Sequence, residues 1–77
     1  MIQKRTIYNR IKLYRVAFGW SREELAEKAG VNFQTIGYLE RDEYNPSLEL
    51  ALKFSEIFDT EIQKIFSFTP FLPTQPM

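Results

Sequence analysis

The sequence predicts an all-α fold, a compact five-helix bundle with a proline-containing C-terminal tail. Three observations support this prediction. Apolar residues recur three and four positions apart along most of the chain, residues that cap helix N-termini precede these segments, and glycine or proline separates them. With 77 residues the chain is long enough for one small core. We expect a single domain over residues 1–66 and a tail over residues 67–77.

The first helix is predicted from about Lys4 to Phe18. Ile7, Ile11, Tyr14 and Phe18 are spaced three and four apart and form one apolar stripe. Gly19 follows and ends the helix.

The next two helices are predicted at about residues 22–29 and 33–41. Ser21 with Glu24 three positions later forms a capping box, and Asn32 is a favourable cap for the second helix of the pair. Gly30 separates them as a C-terminal stop. This pattern predicts a helix-turn-helix whose second helix leaves its outer face free. Apolar residues for the inner faces are Leu25, Ala26, Ala29, Val31, Ile36 and Leu39.

Two further helices complete the predicted bundle. Ser47 caps a helix over about 48–58 that is apolar on two sides, and Thr60 with Gln63 forms a capping box for a short helix through Phe66. The two apolar sides of the longer helix consist of Leu48, Ala51 and Leu52, and of Leu50, Phe54, Ile57 and Phe58.

The tail carries prolines at positions 70, 73 and 76, a spacing that aligns them on one face of a polyproline II helix. One interpretation is therefore a ligand for a proline-recognising partner. The alternative is an irregular tail, and its aromatic residues favour packing on the domain or across a dimer.

Charge is strongly segregated along a chain whose net charge is zero. Residues 1–22 contain six basic and no acidic residues, and the rest contains four basic and ten acidic residues, giving +6 and −6. A basic N-terminal helix beside the free helix face could contact phosphates, although chance segregation on solvated faces is the alternative. The six basic residues are Lys4, Arg5, Arg10, Lys12, Arg15 and Arg22.

Cysteine and histidine are both absent, which argues against an enzyme and against the usual metal sites. Glu23, Glu24 and Glu27 lie close together, but acidic residues at a helix N-terminus are explained by the helix dipole. We expect no cofactor and no catalytic residue. Because neither a secretory signal nor an apolar run of roughly 18 residues is visible, we expect a cytoplasmic protein without a membrane partner.

Over roughly residues 9–66 the sequence resembles the phage-repressor or XRE type of helix-turn-helix regulator. The resemblance implies a bundle of five helices and a homodimer that binds a pseudo-palindromic operator in double-stranded DNA, usually as a repressor. No small-molecule effector is expected. The segments that carry it are Asn9–Lys12, Gly19–Ala26, Gly30–Ile36, Leu39–Arg41 and Tyr44–Leu48.

The resemblance implies that Phe33, Gln34 and Tyr38 contact bases. The Gln34 amide suits adenine, which offers a donor and an acceptor in the major groove, and Phe33 suits a thymine methyl. Alternatively, Phe33 packs against the preceding helix and Tyr38 belongs to the core. Contacts to the DNA backbone or its flanks are implied for Arg10, Ser21, Arg22, Asn32, Thr35 and Arg41.

The resemblance also implies a structural ion pair, and the sequence departs from the family pattern at two positions. Arg15 and Glu40 match a partly buried ion pair between the first and third helices. Asp42 replaces the usual turn glycine, and with Glu43 it places two acids where they would repel DNA. Gly37 is unusual within a helix and is interpreted as allowing close approach to DNA.

The alternative function is a protein-interaction module, antitoxin-like or an adaptor, that uses the last two helices and the tail.

Overall fold

The computed structural model describes residues 5–77 and contains the five expected helices together with a small two-stranded sheet. The strands are antiparallel, with Tyr8 opposite Ser67 and Asn9 opposite Phe66. The elements in chain order are β1 (Tyr8–Asn9), α1 (Ile11–Ala17), α2 (Arg22–Ala29), α3 (Phe33–Glu40), α4 (Leu48–Ile57), α5 (Ile62–Ile65) and β2 (Phe66–Ser67).

The predicted start of the first helix is wrong, because α1 begins at Ile11 and the preceding residues are extended. Pairing of β1 with β2 holds them there, and next to the strand pair Arg10 N donates to Ile65 O at 2.8 Å. The Asn45 side chain adds two bonds, accepting from Ile7 N at 3.1 Å and donating to Arg5 O at 2.8 Å. Lys4, the predicted first residue of the helix, lies outside the described residues.

The caps of the helix pair are confirmed. Ser21 Oγ accepts from Glu24 N at 3.1 Å while Glu24 Oε1 accepts from Ser21 N at 3.0 Å. The hydrogen bond from the Ser21 backbone lowers the pKa of Glu24. Gly30 ends α2 with φ of 70°, a left-handed conformation that glycine adopts without strain. These local bonds fix the turn from which α3 departs.

Of the two remaining caps, the first is confirmed and the second is wrong. Ser47 Oγ accepts from Leu50 N at 3.1 Å at the start of α4. The N-terminal residue flanking α5 is Glu61, without a side-chain cap, and Thr60 O instead accepts from Ser55 Oγ at 2.6 Å. Thr60 is therefore used to close the turn after α4.

The core lies between α1, the helix pair and one side of α4. Phe18 is an exception to the predicted stripe, since it is 46% exposed and stacks on Trp20 with ring centroids 4.7 Å apart. On α4, Leu48 and Leu52 are exposed, so the first of the two predicted apolar sides is only partly covered. The core residues are Ile11, Tyr14, Leu25, Ala26, Ala29, Ile36, Leu39, Leu50, Phe54, Phe58 and Ile65.

The C-terminal tail lies against its own domain. Arg10 Nη1 donates to Pro76 O at 2.9 Å and Arg10 Nη2 donates to Gln75 O at 3.0 Å. The guanidinium also lies 4.9 Å from the centroid of the Phe71 ring. Gln75 N donates to Leu72 O at 3.0 Å, a turn that is not compatible with a continuous polyproline II helix.

Candidate nucleic-acid interface

The outer face of α3 exposes large side chains that have no place in the core. Phe33 is 48% exposed and Tyr38 is 49% exposed, so the alternatives of burial against α2 for Phe33 and a core position for Tyr38 are wrong. Gln34 is exposed between them, whereas Thr35 is half-buried. Three side chains of different chemistry therefore share one solvent-facing surface.

Local bonds and the core together orient this face. Asn32 Oδ1 accepts from Gln34 N at 2.8 Å, which starts α3 at Phe33 and places both residues in its first turn. Ile36 and Leu39 anchor the opposite side of the helix in the core with no exposed surface. The side chain of Asn32 is thus used as a cap, and the α3 face is presented on a rigid support.

Glu40 lies at the centre of a small ionic network. Its carboxylate accepts from Arg15 Nε at 2.7 Å and from Arg22 Nε at 3.0 Å. The Glu40 side chain is 2% exposed, the Arg15 side chain 12% and the Arg22 side chain 42%. Arg15 and Glu40 form the ion pair that ties α1 to α3, and the same carboxylate holds Arg22 beside the outer face of α3.

Arg41, which follows α3, folds back over the helix. Its Cζ atom lies 5.3 Å from the centroid of the Tyr38 ring, and its Nε donates to Glu43 Oε1 at 2.7 Å. This hydrogen bond raises the pKa of Arg41. Gly37 lies beneath the guanidinium and is itself buried, so arginine rather than open space covers the glycine.

The two acids after α3 are both used within the protein. Glu43 pairs with Arg41, and Asp42 Oδ1 accepts from Asn9 Nδ2 at 3.0 Å. Burial raises the pKa of Asp42, and its φ of 58° agrees with the left-handed conformation expected at this turn. Asn9 also donates to Leu39 O and accepts from Ile11 N, which links β1, α1 and the end of α3.

The basic N-terminal region does not form the expected surface for phosphates. Arg10 is 7% exposed and bonded to the tail, so the structure does not place it for the phosphate contact that the resemblance implied. Arg15 is paired with Glu40, and Arg5 lies 4.0 Å from the centroid of the Phe68 ring. Much of the positive charge segregated in the sequence therefore stabilises the chain itself.

A second surface lies away from α3, where α4, α5 and the start of the tail border an apolar groove of about 490 Å³. Leu48, which is 73% exposed, forms part of its wall together with Ile62, Phe66 and Phe68.

Within residues 5–77 no helix has the length and apolar character to cross a membrane. In the same range no cluster of three acidic, histidine or cysteine side chains could hold a metal ion.

Sequence reasoning missed two features of this region. Asn9 is not part of the apolar pattern used to predict helices, and its bonds to Leu39 O and Asp42 join residues about thirty positions apart. The contact between Arg41 and Gly37 had a usable signal, namely a glycine inside a helix with a long basic residue four positions later.

Two short helices joined by a glycine turn, with an exposed polar and aromatic face on the second, define the helix-turn-helix class of DNA-binding domain. The family model described as helix-turn-helix matches residues 11–65.

Individual proteins support the same assignment. An uncharacterized HTH-type transcriptional regulator of Archaeoglobus fulgidus is 48% identical over 59 residues, which are 77% of this chain and 83% of the relative. The restriction-modification controller protein C.AhdI of Aeromonas hydrophila matches with a TM-score of 0.65 and 33% identity, over 70% of this chain and 82% of C.AhdI. SinR in a complex with SinI matches with a TM-score of 0.65 and 42% identity, over 70% of this chain and 53% of that chain.

The chain therefore belongs to the phage-repressor or XRE-type helix-turn-helix family of DNA-binding transcriptional regulators.

Proposed function

We propose that this protein is a cytoplasmic, homodimeric transcriptional repressor that inserts α3 into the major groove of a pseudo-palindromic operator. The observation that carries the proposal is the outer face of α3, where Phe33, Gln34 and Tyr38 are exposed on a helix whose other side is anchored in the core. A helix of this width fits the major groove, where each base pair presents a distinct pattern of donors and acceptors.

Gln34 is assigned to adenine. Its amide offers one donor and one acceptor, which match adenine N7 and N6, and a good pair of this kind contributes about 1–3 kcal/mol of discrimination. Phe33 has no hydrogen-bonding group, so it is assigned to the methyl group of a thymine. Tyr38 is assigned to a base edge or a phosphate through its hydroxyl group.

Arg22 is the best-supported contact to the DNA backbone. It is the first residue of α2, its side chain is 42% exposed, and Glu40 fixes its Nε atom, which leaves the terminal nitrogens to approach a phosphate. Ser21, Asn32 and Thr35 flank the same face, and the caps made by Ser21 and Asn32 orient the helix N-termini. We propose these as flanking contacts.

Dimerisation is proposed because a single α3 offers few base contacts, and family members of this type recognise paired half-sites. Two recognition helices placed about 34–36 Å apart enter successive major grooves on one face of the duplex. The operator is then an inverted repeat whose symmetry matches that of the dimer.

Selection of bound sequences from a random duplex library tests this proposal, followed by a salt titration on the enriched sequence. We expect an inverted repeat with half-sites one helical turn apart, and a linear fall of log affinity with log salt as phosphate contacts release counterions. Failure to enrich any sequence at low salt contradicts the proposal.

The alternative function, a protein-interaction module, is favoured by one observation, the apolar groove beside α4 and α5. Two substitutions separate the functions. Arg22→Ala and Gln34→Ala weaken operator binding if the protein is a regulator that reads DNA, whereas a module that binds through α4 and α5 keeps its partner affinity in both variants.

A further inference from the structure

We infer that Arg41 reads a guanine in each half-site, held in place by Glu43 over the gap left by Gly37. This inference rests on the proposed function and adds a specificity-determining residue to it. The family resemblance implied only a flanking contact for Arg41, and the geometry places its guanidinium over Gly37 and beside the Tyr38 ring.

The Arg41 guanidinium lies over Gly37, four positions earlier in the chain. Side chains on a helix lean toward its N-terminus, and Arg41 extends this tendency by folding back along α3. A Cβ atom built on Gly37 would lie 3.2 Å from Arg41 Nη1 and 3.9 Å from Arg41 Cζ, so the guanidinium lies directly over the glycine. It is thus one turn closer to Gln34 than its own Cα atom is.

Arg41 shares one surface with Gln34. A depression of about 170 Å³ is lined by Arg22, Phe33, Gln34, Gly37, Tyr38 and Arg41. The Arg41 side chain is 51% exposed and lies 5.3 Å from the centroid of the Tyr38 ring, which gives the cation a flat support. Arg41 therefore faces the same partner as Gln34.

Glu43 accepts a hydrogen bond from one nitrogen of the Arg41 guanidinium. Arg41 Nε is bonded to Glu43 at 2.7 Å, and among the described residues no hydrogen-bond partner is found for Nη1 and Nη2. An arginine held at Nε still presents a pair of terminal donors, and this pair matches O6 and N7 of guanine. Glu43 is then a positioning residue that limits the freedom of Arg41 before DNA binds.

This arrangement also explains why an acidic residue is tolerated next to the DNA-binding face. Glu43 carries the charge that should repel phosphates, yet its carboxylate is neutralised by the arginine that it orients. Gly37 has a matching explanation, since a Cβ atom there would lie 3.2 Å from Arg41 Nη1 and would make the guanidinium shift by a few tenths of an ångström.

The test compares base preferences of variants by selection from the same random duplex library. We expect Arg41→Ala to lose preference for one guanine per half-site by on the order of tenfold or more. Arg41→Lys should lose less, because lysine can still donate to guanine but lacks the rigid fork of donors. Arg41→Lys keeps the charge, so its salt dependence stays close to that of the wild-type protein. If Arg41→Ala keeps the guanine preference, the residue does not read that base and the inference is wrong.

Glu43→Ala separates positioning from general electrostatics. Removing its negative charge raises affinity for random duplex, while loss of the Nε partner lowers the guanine preference, so the two readouts move in opposite directions. A guanine preference unchanged in Glu43→Ala overturns the positioning role.

Gly37→Ala tests the gap itself. It improves helix propensity, so a loss of preference in this variant does not come from unfolding. We expect Gly37→Ala to lose part of the same guanine preference. Adding Gly37→Ala to Arg41→Ala should cause no further loss, because the guanidinium is already gone. If Gly37→Ala causes the same loss with and without Arg41, the gap does not act through Arg41.

If the wild-type protein enriches no sequence at all, the proposed function fails and not only the inference about Arg41.

Discussion

The helix pair at residues 21–40 and the two ends of the described chain are stabilised in different ways. In the helix pair, the caps at Ser21, Gly30 and Asn32 join residues at most four positions apart. At the ends, the bonds of Asn9 and Arg10 join residues from about thirty to more than sixty positions apart. The helix pair is therefore defined by local bonds, while its attachment to the rest of the molecule depends on distant partners.

Glu40→Ala gives the largest expected effect, because it removes the link between the helix pair and α1. The Glu40 side chain is 2% exposed and compensates two arginines, and breaking one partner of a buried pair costs about 3–5 kcal/mol. Thermal or urea unfolding measures the loss. Glu43→Ala is the matched control, since its pair with Arg41 is exposed to solvent and contributes little to stability. Equal midpoints for Glu40→Ala and the wild-type protein contradict the assigned role.

Asn9→Ala tests the long-range attachment of the first strand. The change leaves Leu39 O, Asp42 and Ile11 N without this partner, and each such unsatisfied group costs about 1–3 kcal/mol if it stays buried. We expect a loss of about 2 kcal/mol in unfolding free energy, measured by urea titration.

The comparison variant for Asn9→Ala is Asn45→Ala, whose side chain holds only residues 5–7. It should cost less and should mainly speed hydrogen exchange at Ile7. A larger loss in Asn45→Ala than in Asn9→Ala reverses this ranking and shows that Asn9 is not the main attachment.

Ser21→Ala tests the local character of the helix pair. The substitution removes the bond from Glu24 N to Ser21 Oγ and keeps the bond from Ser21 N to Glu24 Oε1, and loss of an N-cap typically costs about 1 kcal/mol. Unfolding free energy should fall by about that amount, with faster exchange confined to the first turn of α2. Exchange that increases equally throughout the described helices would mean that the cap acts globally.

Asp42→Asn has the smallest expected effect and a defined pH dependence. Burial raises the pKa of Asp42 in the folded protein, so the wild-type protein loses stability as pH rises through the interval between the unfolded and the folded pKa. Asparagine also accepts the left-handed backbone at this position. We expect a slightly higher melting temperature for the variant at neutral pH and a smaller difference below the unfolded pKa. A difference that grows on acidification contradicts the sign of the shift.

The sequence predicted the helix pair well because its signals are local. Ser21, Glu24, Gly30 and Asn32 act within one turn, so their chemistry and spacing are enough to place α2 and α3. The same reasoning failed before Ile11, where the apolar stripe continued but strand pairing with Phe66 and Ser67 determined the backbone.

The exposed face of α3 was partly predictable. Gln34 follows from its place in the first turn of the second helix, whereas the exposure of Phe33 and Tyr38 depends on what packs against them. The fold of Arg41 over Gly37 and the burial of Arg10 beneath the tail are tertiary contacts, which the chemistry of single residues does not determine.

The most direct test of the central claim is the base preference of Gln34→Ala at the selected operator. Gln63→Ala, an exposed glutamine on α5, is the matched control. If α3 reads DNA, Gln34→Ala loses preference for adenine at one position of each half-site and Gln63→Ala binds as the wild-type protein does. An unchanged adenine preference in Gln34→Ala, or equal losses in both variants, would contradict the assignment of α3 as the reading helix.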